Sequence, residues 1–106
     1  MIEITYHQRL HSLEMKGHAR SEEEGRDLVC AAASMLAATL AQAAEDLKTA
    51  GAAVSAEIRL DKGDAGIYCK ARERHDSAVR LVFDSICKGF DLLAHEHPQY
   101  VHYRML

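Results

Sequence analysis

The alanine-rich segment from Asp27 to Thr49 is the strongest constraint on what this chain can become. It contains neither proline nor glycine, and Gly51 just beyond it is a helix stop. Its apolar part, Val29 to Ala44, is too short for a bilayer span of roughly 20 residues. Ser34, Thr39 and Gln42 interrupt it, and Asp27 and Glu45 bound it. The segment therefore reads as a buried helix with Leu36, Leu40 and Leu47 inward, which needs a sheet or second helix to cover.

The flanking segments supply that surface. Ile2, Ile4 and Tyr6 alternate with Glu3, Thr5 and His7, and Leu13 and Met15 alternate with Ser12, Glu14 and Lys16. Period-two alternation predicts two strands joined around Gln8 to His11. Val54, Ala56, Ile58 and Leu60 predict a third strand with those four side chains inward, and Lys62-Gly63-Asp64 turns it into a fourth running through Ile67 to Ala71. From Ser77, apolar residues at three- and four-residue steps (Val79, Val82, Phe83, Ile86, Phe90, Leu93) predict a second helix, ended by Pro98. Tyr100 to Leu106 is the last strand. The expected fold class is α/β (α+β) in the order ββαββαβ, a mostly antiparallel sheet with two helices packed on one face, forming one domain over residues 1–106.

Composition narrows the function. A net charge of -3 gives no electrostatic footprint for direct nucleic-acid binding. Met1 to Gln8 lacks the basic flank and apolar run of a secretory leader, and the three cysteines, Cys30, Cys69 and Cys87, form no C-x-x-C pair. A reducing, cytoplasmic setting without membrane partner is expected.

Helical spacing places Asp27, Cys30 and Ser34 on one side of the first helix, a polar stripe on an apolar element. Near the helix start the macrodipole favours a thiolate, the form that attacks carbonyls, and His18 beside Gly17 is the natural partner. On pattern alone, a cysteine in Val29-Cys30-Ala31-Ala32 is more often inert packing than a nucleophile. Strand parity groups His18 with Glu14 and Lys16, so a Cys30-His18 pair requires the chain to turn at Gly17.

Gly17-His18-Ala19, a spacer, then Gly25-x-Asp27-Leu28-Val29-Cys30-Ala31-Ala32-x-Ser34-x-Leu36 resembles the signature of the ribosomal-processing cysteine protease family, Prp. Pro98-x-Tyr100-Val101 extends the likeness to the far end of the chain. The resemblance implies a small homodimeric protease without cofactor or metal, in which Cys30 is the nucleophile and His18 the general base and acid, with Asp27 and Ser34 in support. The implied substrate is a bacterial large-subunit ribosomal protein precursor, the twenty-seventh, from which a short N-terminal extension is removed. Arg20-Ser21 and Ala33 depart from the usual pattern, where small and aromatic residues and a β-branched residue respectively are common. The loop from Ala19 to Gly25, with Glu22, Glu23 and Glu24, is expected to gate the site between Gly17 and Gly25 and to steer a basic substrate. Cys69 and Cys87 match no catalytic position and are assigned to packing.

Other classes compete. His95-Glu96-His97 with His7, His11 and His102 are the alternative metal ligands, although His95 and His97 diverge on a helix. A non-enzymatic homodimeric module bound to a ribosomal partner would need no reactive thiol.

Overall fold

The computed structural model describes residues 1–17 and 26–106. Strands β1 (Ile2–His7) and β2 (Ser12–Lys16) precede helix α1 (Arg26–Thr49). Strands β3 (Ala53–Asp61) and β4 (Asp64–Ala71) follow, then helix α2 (Asp76–Glu96), led in by a single 3-10 turn, and strand β5 (Val101–Met105). The five strands lie in the order β3-β4-β2-β1-β5, antiparallel throughout except where β5 joins β1 in parallel. The expected ββαββαβ order and mostly antiparallel sheet are both present.

One face of the sheet carries the core. Ile2, Ile4 and Tyr6 of β1, Leu13 of β2, Ala65, Ile67 and Cys69 of β4 and Val101 of β5 all point to it, and the charged residues between them stay on the open face. Both helices cover the apolar face: α1 rests on β3 and β4, α2 on β5, and the helices pack on each other.

Much of α1's contact with the core is made by alanines. Val29, Ala33, Ala37, Leu40, Ala41 and Ala44 are buried, whereas Leu36 and Leu47 are only partly so. Short side chains let the helix sit close to the sheet, and this accounts for Ala33 where a β-branched residue is common. Leu36 packs against α2 instead: a Cβ on Gly89 would lie 2.6 Å from its Cδ2. By length and composition Leu28–Thr49 is apolar enough to cross a membrane, yet its inner side lies in this core. Gly51, in the left-handed region at φ 82°, ends the helix as expected.

The inward face of β3 differs from expectation. A register shift between Ala53 and Ser55 makes Val54 an extra, bulged residue that is 48% exposed, and Ala53 takes its place in the core. An extra residue inverts the alternation at that point. Leu60, near the strand's end, is 50% exposed, so only Ala56 and Ile58 follow the expected pattern, both partly buried.

Candidate active site

β2 is the central strand, and its last residue, Lys16, hands over to Gly17 at φ 99°. This left-handed backbone is open to glycine at little cost. It ends the extended backbone of β2 at Gly17. Gly17 is also held from both sides. Its N–H donates to the Gly63 carbonyl in the β3–β4 turn at 3.0 Å, and a Cβ at this position would collide with the Met1 carbonyl oxygen at the start of β1.

His18, Ala19, Glu22, Glu23, Glu24 and Gly25 lie outside the described residues, and Asp27 is placed only by its backbone in α1. Because α1 starts at Arg26, Cys30 is its fifth residue, just past the first turn rather than in it. The three opening amides, of Arg26, Asp27 and Leu28, have no acceptor within the helix. Cys30 is half-buried against the edge of the core. Ser34, one turn further on, is solvent-exposed, and no hydrogen bond joins it to Cys30 among the described residues.

The other two thiols are sequestered. Cys69 on β4 is 0% exposed, with its Sγ 3.8 Å from the Ala44 carbonyl oxygen. Burial, assisted by Glu45, pushes its pKa up to about 11. Cys87 on α2 is 1% exposed, and burial together with the charge of Asp84 pushes it up to about 12. Both occupy the packing positions expected of them.

His11 has a role that the sequence does not reveal. It is 3% exposed, at φ 50°, and its carbonyl accepts the Cys69 N–H at 3.0 Å. The ring meets Phe83 edge-on at 5.9 Å, and Nε2 lies 3.4 Å from Asp76 Oδ1, poorly aligned for a hydrogen bond. His11 thus pins the β1–β2 turn to the start of α2. Its link to Cys69 is through the backbone and makes no dyad. His95 pairs with Asp91 and His102 with Glu3, and no group of three possible ligands converges among the described residues.

A second polar cluster was also missed. Tyr6 Oη donates to Asp84 Oδ1 at 2.7 Å, and Gln8 Nε2 donates to both oxygens of that carboxylate at 3.1 and 3.2 Å. Burial and the neighbouring carboxylate hold the Tyr6 phenol well above its usual range. The only cue in the sequence was a tyrosine on an inward strand position, since a buried phenol needs a partner.

The family model described as "Cysteine protease Prp" matches residues 1–102. The chain belongs to the Prp family of ribosomal processing cysteine proteases. Solved structures are similar to it, among them these three. SMU.848 from Streptococcus mutans shares 27% identity over 99% of this chain and 91% of that one, with a TM-score of 0.68. The essential ribosomal processing protease Prp from S. aureus, in complex with a substrate peptide, shares 18% identity over 99% and 97% of the two chains, with a TM-score of 0.69. The same protease with a covalently linked product peptide gives 18% identity, the same coverages and a TM-score of 0.65. At 18% identity these last two speak for the fold alone. No curated protein matches the chain. Membership in the Prp family sets the activity class as cysteine protease.

Proposed function

We propose that this Prp family member removes the N-terminal extension of a large-subunit ribosomal protein precursor, the twenty-seventh, with Cys30 as nucleophile and His18 as base. The observation that carries the reading is the contrast among the three thiols. Within a cysteine protease family, Cys30 is the half-buried one at the helix head, and Cys69 and Cys87 are enclosed by the core. The Gly17-His18-Ala19 block supplies the histidine, and the left-handed Gly17 turns the chain out of the strand before it.

In this mechanism the Cys30 thiolate attacks the scissile carbonyl and forms an acyl-enzyme. Protonated His18 gives its proton to the leaving amine, then takes one from water, whose oxygen attacks the acyl carbon and releases the Cys30 thiolate, restoring the starting pair. The amides of Arg26, Asp27 and Leu28, which have no acceptor within the helix, are the donors this reading offers the developing oxyanion. The same reading makes the working protein a cytoplasmic homodimer, with the precursor as its partner and no direct contact with nucleic acid or membrane; the net charge of -3 supports the lack of a phosphate-binding surface.

Incubation with the full-length precursor, read by product mass, tests the reading. Wild-type protein should release the extension, and folded Cys30→Ala should not. His18→Ala should leave Cys30 slower to alkylate with iodoacetamide at neutral pH. Turnover by Cys30→Ala would refute the assignment.

A further inference from the structure

β3 is an outermost strand: β4 pairs with one side of it, and among the described residues nothing pairs with the other. It is nine residues long, against five for β5 at the opposite edge. The bulge is confined to its beginning, and from Ala56 to Asp61 the register with β4 is regular. Along such an edge, alternate residues present unpaired N–H and C=O groups, which an extended peptide can join as a further strand.

Cys30 lies on the half of α1's inner face nearer this edge. With α1 on β3 and β4 and α2 on β5, the flank of α1 turned away from α2 is the β3 flank. Leu36, in contact with the Gly89 backbone, marks the α2 flank, while Ala33, Ala37 and Ala44 mark the buried line between. At about 100° per residue, Cys30 lies about 120° round from Leu36, between buried Ala37 and Ala41, on the half of the buried face away from α2. Its half-burial, with Ser34 exposed, fits that position. The levels agree too: from Cys30 to Thr49 the helix rises about 29 Å, and from Ala53 to Asp61 the strand returns about 26 Å. The Asp61 end of β3 therefore comes back to the level of Cys30. Leu60, on the same side of β3 as Ile58, offers an exposed apolar contact there.

We infer that the segment of the precursor around the cut binds as an added strand along Ala56–Asp61, so that its backbone is drawn past the Cys30 thiol; this rests on the protease reading above. An added strand fixes the scissile carbonyl by main-chain hydrogen bonds and leaves alternate side chains for selection, with Leu60 favouring an apolar one. A second copy paired β3 to β3 would compete for the same edge, and the dependence of protection on protein concentration distinguishes it from the peptide.

The test uses Cys30→Ala protein and a synthetic peptide spanning the cut, with amide hydrogen exchange followed by NMR. The expected result is that alternate amides between Ala56 and Asp61, fast in the free protein, slow by about tenfold or more with peptide, while those paired to β4 are slow throughout. Peptides N-methylated one residue at a time should lose cleavage by wild-type protein at alternate positions. Binding without protection in β3, no binding at all, uniform sensitivity to N-methylation, or protection that grows with protein concentration without peptide would each overturn the edge site. Failure of the edge is separable from failure of the protease reading, because cleavage by wild-type protein and its loss in Cys30→Ala do not depend on where the peptide lies.

Discussion

Replacing Gly17 by alanine should do more damage than any other single methyl group near the site. A left-handed φ of 99° costs a non-glycine residue about 1–2 kcal/mol. The new Cβ meets the Met1 carbonyl oxygen, a backbone atom that cannot rotate away, so one strand end must shift. That shift takes with it the Gly17 to Gly63 hydrogen bond, worth about 1 kcal/mol. The total is about 3 kcal/mol once the collision is included. Gly51→Ala is the internal control: its φ is 82°, but nothing lies within 4 Å of the added Cβ. It should cost about 1 kcal/mol. At about 5 °C per kcal/mol for a domain of this size, the melting midpoints should fall by about 15 °C and 5 °C respectively. Circular dichroism melts measure this. Because His18 is the next residue, Gly17→Ala assayed below its midpoint should also lose about a hundredfold in kcat, the expected cost of an ångström-scale misplacement, while Gly51→Ala keeps its turnover. Equal midpoints for the two variants would refute the packing argument. Undiminished kcat in folded Gly17→Ala would refute the positioning of His18 by this glycine.

Iodoacetamide at pH 8 should modify Cys30 first, since a thiol pKa near 11 leaves Cys69 only about 1% of the thiolate of a free cysteine near 9; peptide mapping showing equal labelling of all three would contradict the burial argument. The same shifts tie stability to pH. The native state keeps Cys69 and Cys87 protonated, while the unfolded chain ionises from about pH 9. Their contribution is therefore complete below pH 9 and lost as pH rises toward 11 and 12, at about 1.4 kcal/mol per pH unit for each thiol. Denaturant midpoints between pH 8 and 10.5 that do not fall would contradict it. Asp84→Ala should cost about 2 kcal/mol, because Tyr6 Oη and Gln8 Nε2 lose a charged acceptor; Asp84→Asn, which keeps one acceptor oxygen, should cost less in the same unfolding assay.

What could be read from the sequence alone was whatever depends on neighbours along the chain. Ile2, Ile4 and Tyr6 alternate because every second side chain of a strand faces the same way. Val79, Phe83 and Phe90 recur at helical steps, and Gly51 stops α1 by backbone freedom that is its own. The spaced block from Gly17 to Leu36 likewise gave the family, since its information lies in residue types and intervals. Only the tertiary structure decided where two distant segments meet. Val54 leaves the core because β3 slips against β4 at one residue, and a register belongs to the pair of strands. His11 is buried because Phe83 and Asp76 of α2 close over the β1–β2 turn, and Tyr6 finds Asp84 a full 78 residues away. Above all, Cys30 gains its meaning from the side of α1 it occupies. The period of a helix says which residues share a face, but only the sheet order and the packing of α2 decide that α1 lies over β3 and β4, with Cys30 half-buried against the core.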